Sequence, residues 1–131
     1  MPNENLFDLT GKVAIVTGTS RGLGQYLARA LAQAGADLVL TSRKREHLAD
    51  FAKEIQALGR KTLALELDVR YQHSIEQMAN HAEKAFGHID ILVNNAGCNV
   101  RKPALEVTWE DWNLILDTNL RGSFFVAQVI A

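Results

Sequence analysis

The run Val13-Ala14-Ile15-Val16-Thr17-Gly18-Thr19-Ser20-Arg21-Gly22-Leu23-Gly24 constrains what this chain can fold into more than any other stretch. Four apolar residues lead into three glycines, and a helical pattern opens directly behind them. That order reads as a buried parallel strand, a tight turn and the first turn of a helix. Glycines remove Cβ atoms where a backbone turns sharply and something approaches closely. The free N–H groups and dipole of a helix N-terminus favour an anion, so a phosphate group is the ligand this stretch points to. The spacing Gly18-x-x-x-Gly22-x-Gly24 differs from G-x-G-x-x-G, and no Gly-Lys-Ser/Thr follows as in a P-loop. A purely structural strand–helix turn is the alternative, and the rest of the chain decides between them.

Apolar periodicity places the other elements. Strand one spans about Lys12 to Thr17. Helix one spans about Gly22 to Ala34, with Leu23, Leu27, Ala30, Leu31 and Ala34 inward and Gly35 as its C-terminal stop. Strand two is Asp37 to Thr41. Helix two runs from near Lys44 to before Gly59, on the stripe Leu48, Phe51, Ile55 and Leu58. Strand three is Thr62 to Leu67, ending at Asp68. Helix three covers about Ser74 to Phe86, with Ile75, Met78, Ala82 and Ala85 inward and Gly87 closing it. Strand four is Ile89 to Val93, leading into Asn94-Asn95-Ala96-Gly97. Thr108 caps a fourth helix that continues from Trp109 to Ala131, with Trp109 and Trp112 packing its base.

Strands alternating with helices predict an α/β fold, a doubly wound parallel sheet of Rossmann-like order 3-2-1-4. Ligands in such sheets bind beyond the carboxyl ends of the strands, where the chain changes direction between strands one and four. The Gly-rich turn, Asp68-Val69 and Asn94 to Gly97 all fall there. That convergence is the main functional argument carried by pattern alone.

Composition narrows the function classes. The chain has 131 residues, 47% hydrophobic and 22% charged, as expected of one soluble globular domain. A net charge of −1 gives no reason to expect nucleic acid or an anionic membrane as partner. No apolar run approaches a membrane span, and the first ten residues lack a signal-peptide pattern. Cys98 is the only cysteine, so no intrachain disulfide can form, which fits a reducing cytoplasm. The histidines His47, His73, His81 and His88 have no i, i+4 pairing and no cysteine cluster, so no metal site is expected.

With these stretches in register, the sequence resembles the short-chain dehydrogenases/reductases. Thr17 to Gly24 matches that family's TGxxxGxG signature, and Asn94-Asn95-Ala96-Gly97 its NNAG motif. Asp68-Val69 matches its adenine-pocket position, and Asn119 the asparagine of its fourth-helix motif. The resemblance covers the whole chain. In finer texture, Phe7-Asp8-Leu9-Thr10-Gly11-Lys12 and Asn99-x-Arg101-x-Pro103 are most similar to gluconate 5-dehydrogenase-type members. The family implies hydride transfer between a nicotinamide cofactor and a hydroxyl/carbonyl substrate. It implies cofactor binding by Gly18, Thr19, Ser20, Arg21, Gly22, Leu23 and Gly24, and by Asp68, Val69, Asn95, Ala96 and Gly97. It gives Asn119 a catalytic role, holding a water that links to a catalytic lysine. It also implies a homotetramer with the fourth helix at one interface.

Charge decides which nicotinamide cofactor is expected. An acid just after strand two would bind a ribose 2′-hydroxyl and repel a 2′-phosphate, and a cation does the opposite. Here strand two ends Thr41-Ser42-Arg43, and the nearest carboxylate is Glu46. Arg43 offers a planar fork beside Ser42, and Arg21 lies inside the Gly-rich turn. NADP(H) is therefore expected over NAD(H). Arg101 and Lys102 sit at the rim, where they can meet an anionic sugar acid or remain surface charges.

The family's chemistry needs a tyrosine followed four residues later by lysine, and a serine that polarises the carbonyl. Tyr26 and Tyr71 lack that lysine, and none of Ser20, Ser42, Ser74 or Ser123 stands after a fifth strand. The expectation is thus the N-terminal cofactor half of a larger enzyme, cut inside a helix. A stand-alone nucleotide-binding module and an interaction fragment are the alternatives.

Overall fold

The computed structural model describes residues 5–131. Its sheet is built from β1 (Val13–Val16), β2 (Asp37–Ser42), β3 (Thr62–Glu66) and β4 (Ile91–Val93), all parallel, in the order β3-β2-β1-β4. The register aligns Val16 with Leu40 on one side and Val93 on the other, so β1 and β4 finish level and β2 runs two residues further, to Ser42.

The near-continuous apolar runs are explained by covering on both faces. Side chains alternate across a strand, so Ala14, Val16, Leu38 and Leu40 point one way. There they meet Ala28 and Ala32 of α1 (Leu23–Gln33) and Phe51 and Ile55 of α2 (Ala49–Ala57). Val13, Ile15 and Val39 point the other way, against Ile75, Met78 and Ala82 of α3 (Gln72–Phe86). Each fully buried Leu or Ile in these two layers contributes about 1.5–3 kcal/mol.

A 3₁₀ turn at Arg45–Leu48 leads into α2. The last helical stretch is in three parts: α4 (Trp109–Leu116), a π-helical turn (Asp117–Gly122) and α5 (Ser123–Ile130). Thr108 caps α4 as expected. Its hydroxyl accepts from the Asp111 N–H at 3.1 Å, and the Asp111 carboxylate accepts from the Thr108 N–H at 3.0 Å. Lys102 pairs with the same carboxylate at 2.6 Å and is the main reason it sits below its ordinary pKa.

Four expectations need correction. The inward face of α1 is Gly24, Ala28 and Ala32, whereas Leu23 and Ala30 face solvent. Leu31 packs against the core from the edge of that face, with Leu27 and Ala34 half-buried, and the close seating of Gly24 at the Gly-rich turn sets the helix phase. Leu58 and Ala85, at the ends of their stripes, are exposed because the sheet does not reach that far. Trp109 and Trp112 are 81% and 58% exposed, so they do not pack the base of the last helix. That helix is also not uniform, because the π turn interrupts it.

Candidate functional site

Thr17, one residue beyond β1, ties two loops together. Its buried hydroxyl accepts from the N–H groups of Asn95 (3.0 Å) and Ala96 (2.9 Å), fixing the loop after β4 to the Gly-rich turn. The Asn95 amide returns the contact, donating to the carbonyls of Thr17 (3.0 Å) and Gly18 (3.1 Å). Two glycines are needed for this closeness. Gly18 has φ +71°, and a Cβ there would lie 3.0 Å from Ala96 Cα. A Cβ on Gly24 would lie 2.2 Å from the Gly18 carbonyl oxygen, a clash that only a backbone shift could relieve. Gly22 caps α1 without any side-chain hydrogen bond, and no acid stands in the first turn. The N–H groups of Leu23 and Gly24 are therefore orphan donors, while that of Gln25 bonds the Gly22 carbonyl at 3.1 Å; Gly22 itself lines an open cleft, with nothing within 4 Å of where its Cβ would stand.

The cleft holds about 530 Å³ and lies where the strand order turns, as the topology predicts. One wall is Gly18, Ser20, Arg21 and Gly22; the next is Thr41, Ser42 and Arg43 at the end of β2. Asp68, Val69 and Arg70 after β3 form the third, and Asn95, Ala96, Gly97 and Cys98 after β4 the fourth. Leu114 and Thr118 close it from the last helix.

Three arginines, Arg21, Arg43 and Arg70, face this space, with Asp68 as the one lining carboxylate. Arg70 takes both Asp68 oxygens, with Nε–Oδ1 at 3.0 Å and Nη2–Oδ2 at 2.7 Å, and its N–H also donates to Oδ1. This fork holds the Asp68 carboxyl below the usual carboxylate range. Burial opposes the shift, and the charges of Arg70 and Arg43 assist it. Among the described residues, neither Arg21 nor Arg43 pairs with a carboxylate. The cleft thus keeps two free positive charges for an anion.

Four of the residues singled out from sequence stand outside the cleft lining. Thr19 is fully buried, and its hydroxyl donates to the Thr41 carbonyl at 3.1 Å, so it joins β1 to β2 instead of facing a ligand. Leu23 is 65% exposed on the outer side of α1, and Gly24 is sealed under the turn. Asn119 sits in the π turn, with its amide paired to the backbone of Cys98. Its Oδ1 accepts the Cys98 N–H and its Nδ2 donates to the Cys98 carbonyl, both at 2.8 Å. Lys102 is engaged by Asp111, and Arg101 is exposed but outside the cleft lining. Arg70 was not anticipated from the sequence, and its position directly after the Asp68-Val69 pair was the available signal. Among the described residues there is no group of His, Cys, Asp or Glu able to hold a metal ion, and no helix long and apolar enough to cross a membrane.

Comparison with known proteins gives a consistent result. The family model for short chain dehydrogenase matches residues 12–131. The chain is 43% identical over 125 residues to the 2-dehydro-3-deoxy-D-gluconate 5-dehydrogenase of Escherichia coli, covering 95% of this chain and 49% of that protein. It is 40% identical over 131 residues to the gluconate 5-dehydrogenase of Gluconobacter oxydans, covering 100% of this chain and 51% of that protein. The crystal structure of a short-chain type dehydrogenase/reductase from Mycobacterium marinum superposes with a TM-score of 0.92 at 38% identity, covering 95% of this chain and 49% of that one. The chain spans about half the length of the relatives it matches.

Proposed function

The chain belongs to the short-chain dehydrogenase family, and from that premise we propose that it holds NADP(H) in preference to NAD(H). The residues present fit such a dinucleotide. A turn with no room for a Cβ at Gly18 or Gly24 exposes the orphan amides of α1 to a pyrophosphate. Asp68 and Val69 are on the wall suited to the adenine edge, and Asn95, Ala96 and Gly97 face the cofactor's middle. When bound, the nicotinamide supplies a hydride; this chain's part is to bind and orient it.

The observation that carries the NADP(H) reading is the pair of free guanidiniums. Arg43 directly follows the last residue of β2, where a 2′-phosphate would arrive, Arg21 lines the same cleft, and the one lining carboxylate is already taken by Arg70. Titration of the chain with NADPH and NADH tests the reading. A charge-assisted hydrogen bond contributes about 1.5–3 kcal/mol, so Arg43→Ala should weaken NADPH binding about tenfold or more and change NADH binding little. Tighter NADH binding that is indifferent to Arg43→Ala would overturn it.

For the whole enzyme, we read an oxidoreductase acting on the hydroxyl/carbonyl pair of a sugar acid, with Arg101 as the cation to meet the substrate carboxylate. Support comes from the names of the two gluconate-type relatives and from Arg101 being unpaired among the described residues. The half-length coverage and the lack of Tyr-x-x-x-Lys in these 131 residues support assigning the acid/base chemistry to residues outside them. Asn119 then serves as the relay residue, and a homo-oligomer joined through the last helix is the assembly. The single cysteine supports a cytoplasmic setting.

A further inference from the structure

The π turn touches both the wall after β3 and the wall after β4. From its middle, Asn119 holds Cys98 by two amide hydrogen bonds, and its Oδ1 lies 3.2 Å from where a Gly97 Cβ would be. At its finish, Gly122 is buried with ordinary helical angles, φ −59° and ψ −47°, so its lack of a side chain serves space and not conformation. A Cβ on Gly122 would meet the Val69 carbonyl oxygen at 2.7 Å, Cγ2 at 2.8 Å and Cβ at 2.9 Å. Beside it, Arg121 Nη2 donates to the Arg70 carbonyl at 3.1 Å while reaching back to Asp117 at 3.3 Å within the same turn. Inserting one residue into an α-helix widens it locally and re-aims the side chains that follow. Here the widening aims Arg121 and seats Gly122 on the loop that carries Asp68.

We propose that Arg121 and Gly122 are positioning residues for the adenine end of the cofactor: they touch no ligand themselves but fix the Asp68–Arg70 loop at the depth the adenine requires. This rests on the reading of the cleft as a dinucleotide site. Adenosine 2′,5′-bisphosphate reports on the adenine wall and the Arg43 side. Inorganic pyrophosphate reports on the Gly-rich turn, which contacts neither Arg121 nor Gly122.

Calorimetric titration of the 131-residue chain with each probe is the experiment, run beside thermal melts. Arg121→Ala removes the hydrogen bond that an exposed guanidinium donates to the Arg70 carbonyl, so binding of adenosine 2′,5′-bisphosphate should weaken about three- to tenfold. Pyrophosphate affinity should stay within twofold, and Arg121→Lys, which keeps a donor, should restore most of the loss. Gly122→Ala should lose more of the bisphosphate affinity than Arg121→Ala. Should it fail to fold, the two Arg121 variants decide the question. A bisphosphate affinity unchanged in Arg121→Ala would overturn the positioning role while leaving the cofactor site intact. Equal losses for both probes would also overturn it, as the mark of general destabilisation. If the parent chain binds neither probe, the cofactor reading itself falls, and this inference with it.

Discussion

Asp68 shows how one residue can serve both the fold and the site. Its carboxylate accepts two bonds from the Arg70 side chain and one from the Arg70 backbone, so the loop after β3 is closed on itself before any ligand arrives. The Ser74 hydroxyl, accepting from the Asp68 N–H at 2.9 Å, ties the same loop to the first turn of α3. Because this arrangement lowers the Asp68 pKa in the folded state, its contribution to stability has a definite sign. The contribution is fully present above the ordinary carboxylate value of 3.8, and it is lost as the pH falls through the lower, folded-state value. Urea midpoints measured down that acid range should therefore fall more steeply for the parent chain than for Asp68→Asn. Equal slopes would mean that Arg70 holds nothing that matters to the fold. The Asp68 motif was legible in the sequence, but its partner was not. A guanidinium two residues away can fold back onto the carboxylate or leave it, and only the tight turn at residues 68–70 decides.

Elements were more legible than contacts. The alternation of apolar runs with 3.6-residue stripes fixes the strand order, because right-handed crossovers permit few alternatives. The phase of α1 was not legible, because apolar periodicity favours Leu23, whereas the Gly24–Gly18 contact rotates that side chain outward. The π turn was equally hidden: Asn119 reads as a weak helix former, and its partner Cys98 lies 21 residues earlier. What the periodicity does show is an apolar excess on the last helix. Trp109, Trp112, Leu120 and Phe124 are 81%, 58%, 66% and 60% exposed. So much apolar surface in water favours self-association. Sedimentation velocity should show the chain associating at micromolar concentration, and Leu120→Ser with Phe124→Ser should shift it toward monomer. A parent chain that stays monomeric as concentration rises would rule this helix out as the contact.

At the scale of the whole molecule, the sheet is held together by pairings that differ greatly in reach. β2 meets β1 and β3 across short helical crossovers, but β4 comes back to β1 from far along the chain: the Asp90 carboxylate accepts the Val13 N–H across a separation of 77 residues. Closing so long a loop costs entropy before any contact rewards it. The wall that carries Asn95 to Cys98 follows β4 directly, so the cleft is not assembled until that closure is made. We expect this long-range closure to complete late in folding, so that a nucleotide stabilises the native state and not the transition state. In stopped-flow experiments, saturating NADPH should slow unfolding and leave the refolding rate unchanged; faster refolding would mean that the site forms earlier than the pairing allows. On that expectation the seam between β1 and β4 would turn ligand binding into kinetic persistence, lengthening the lifetime of the fold without hastening its formation.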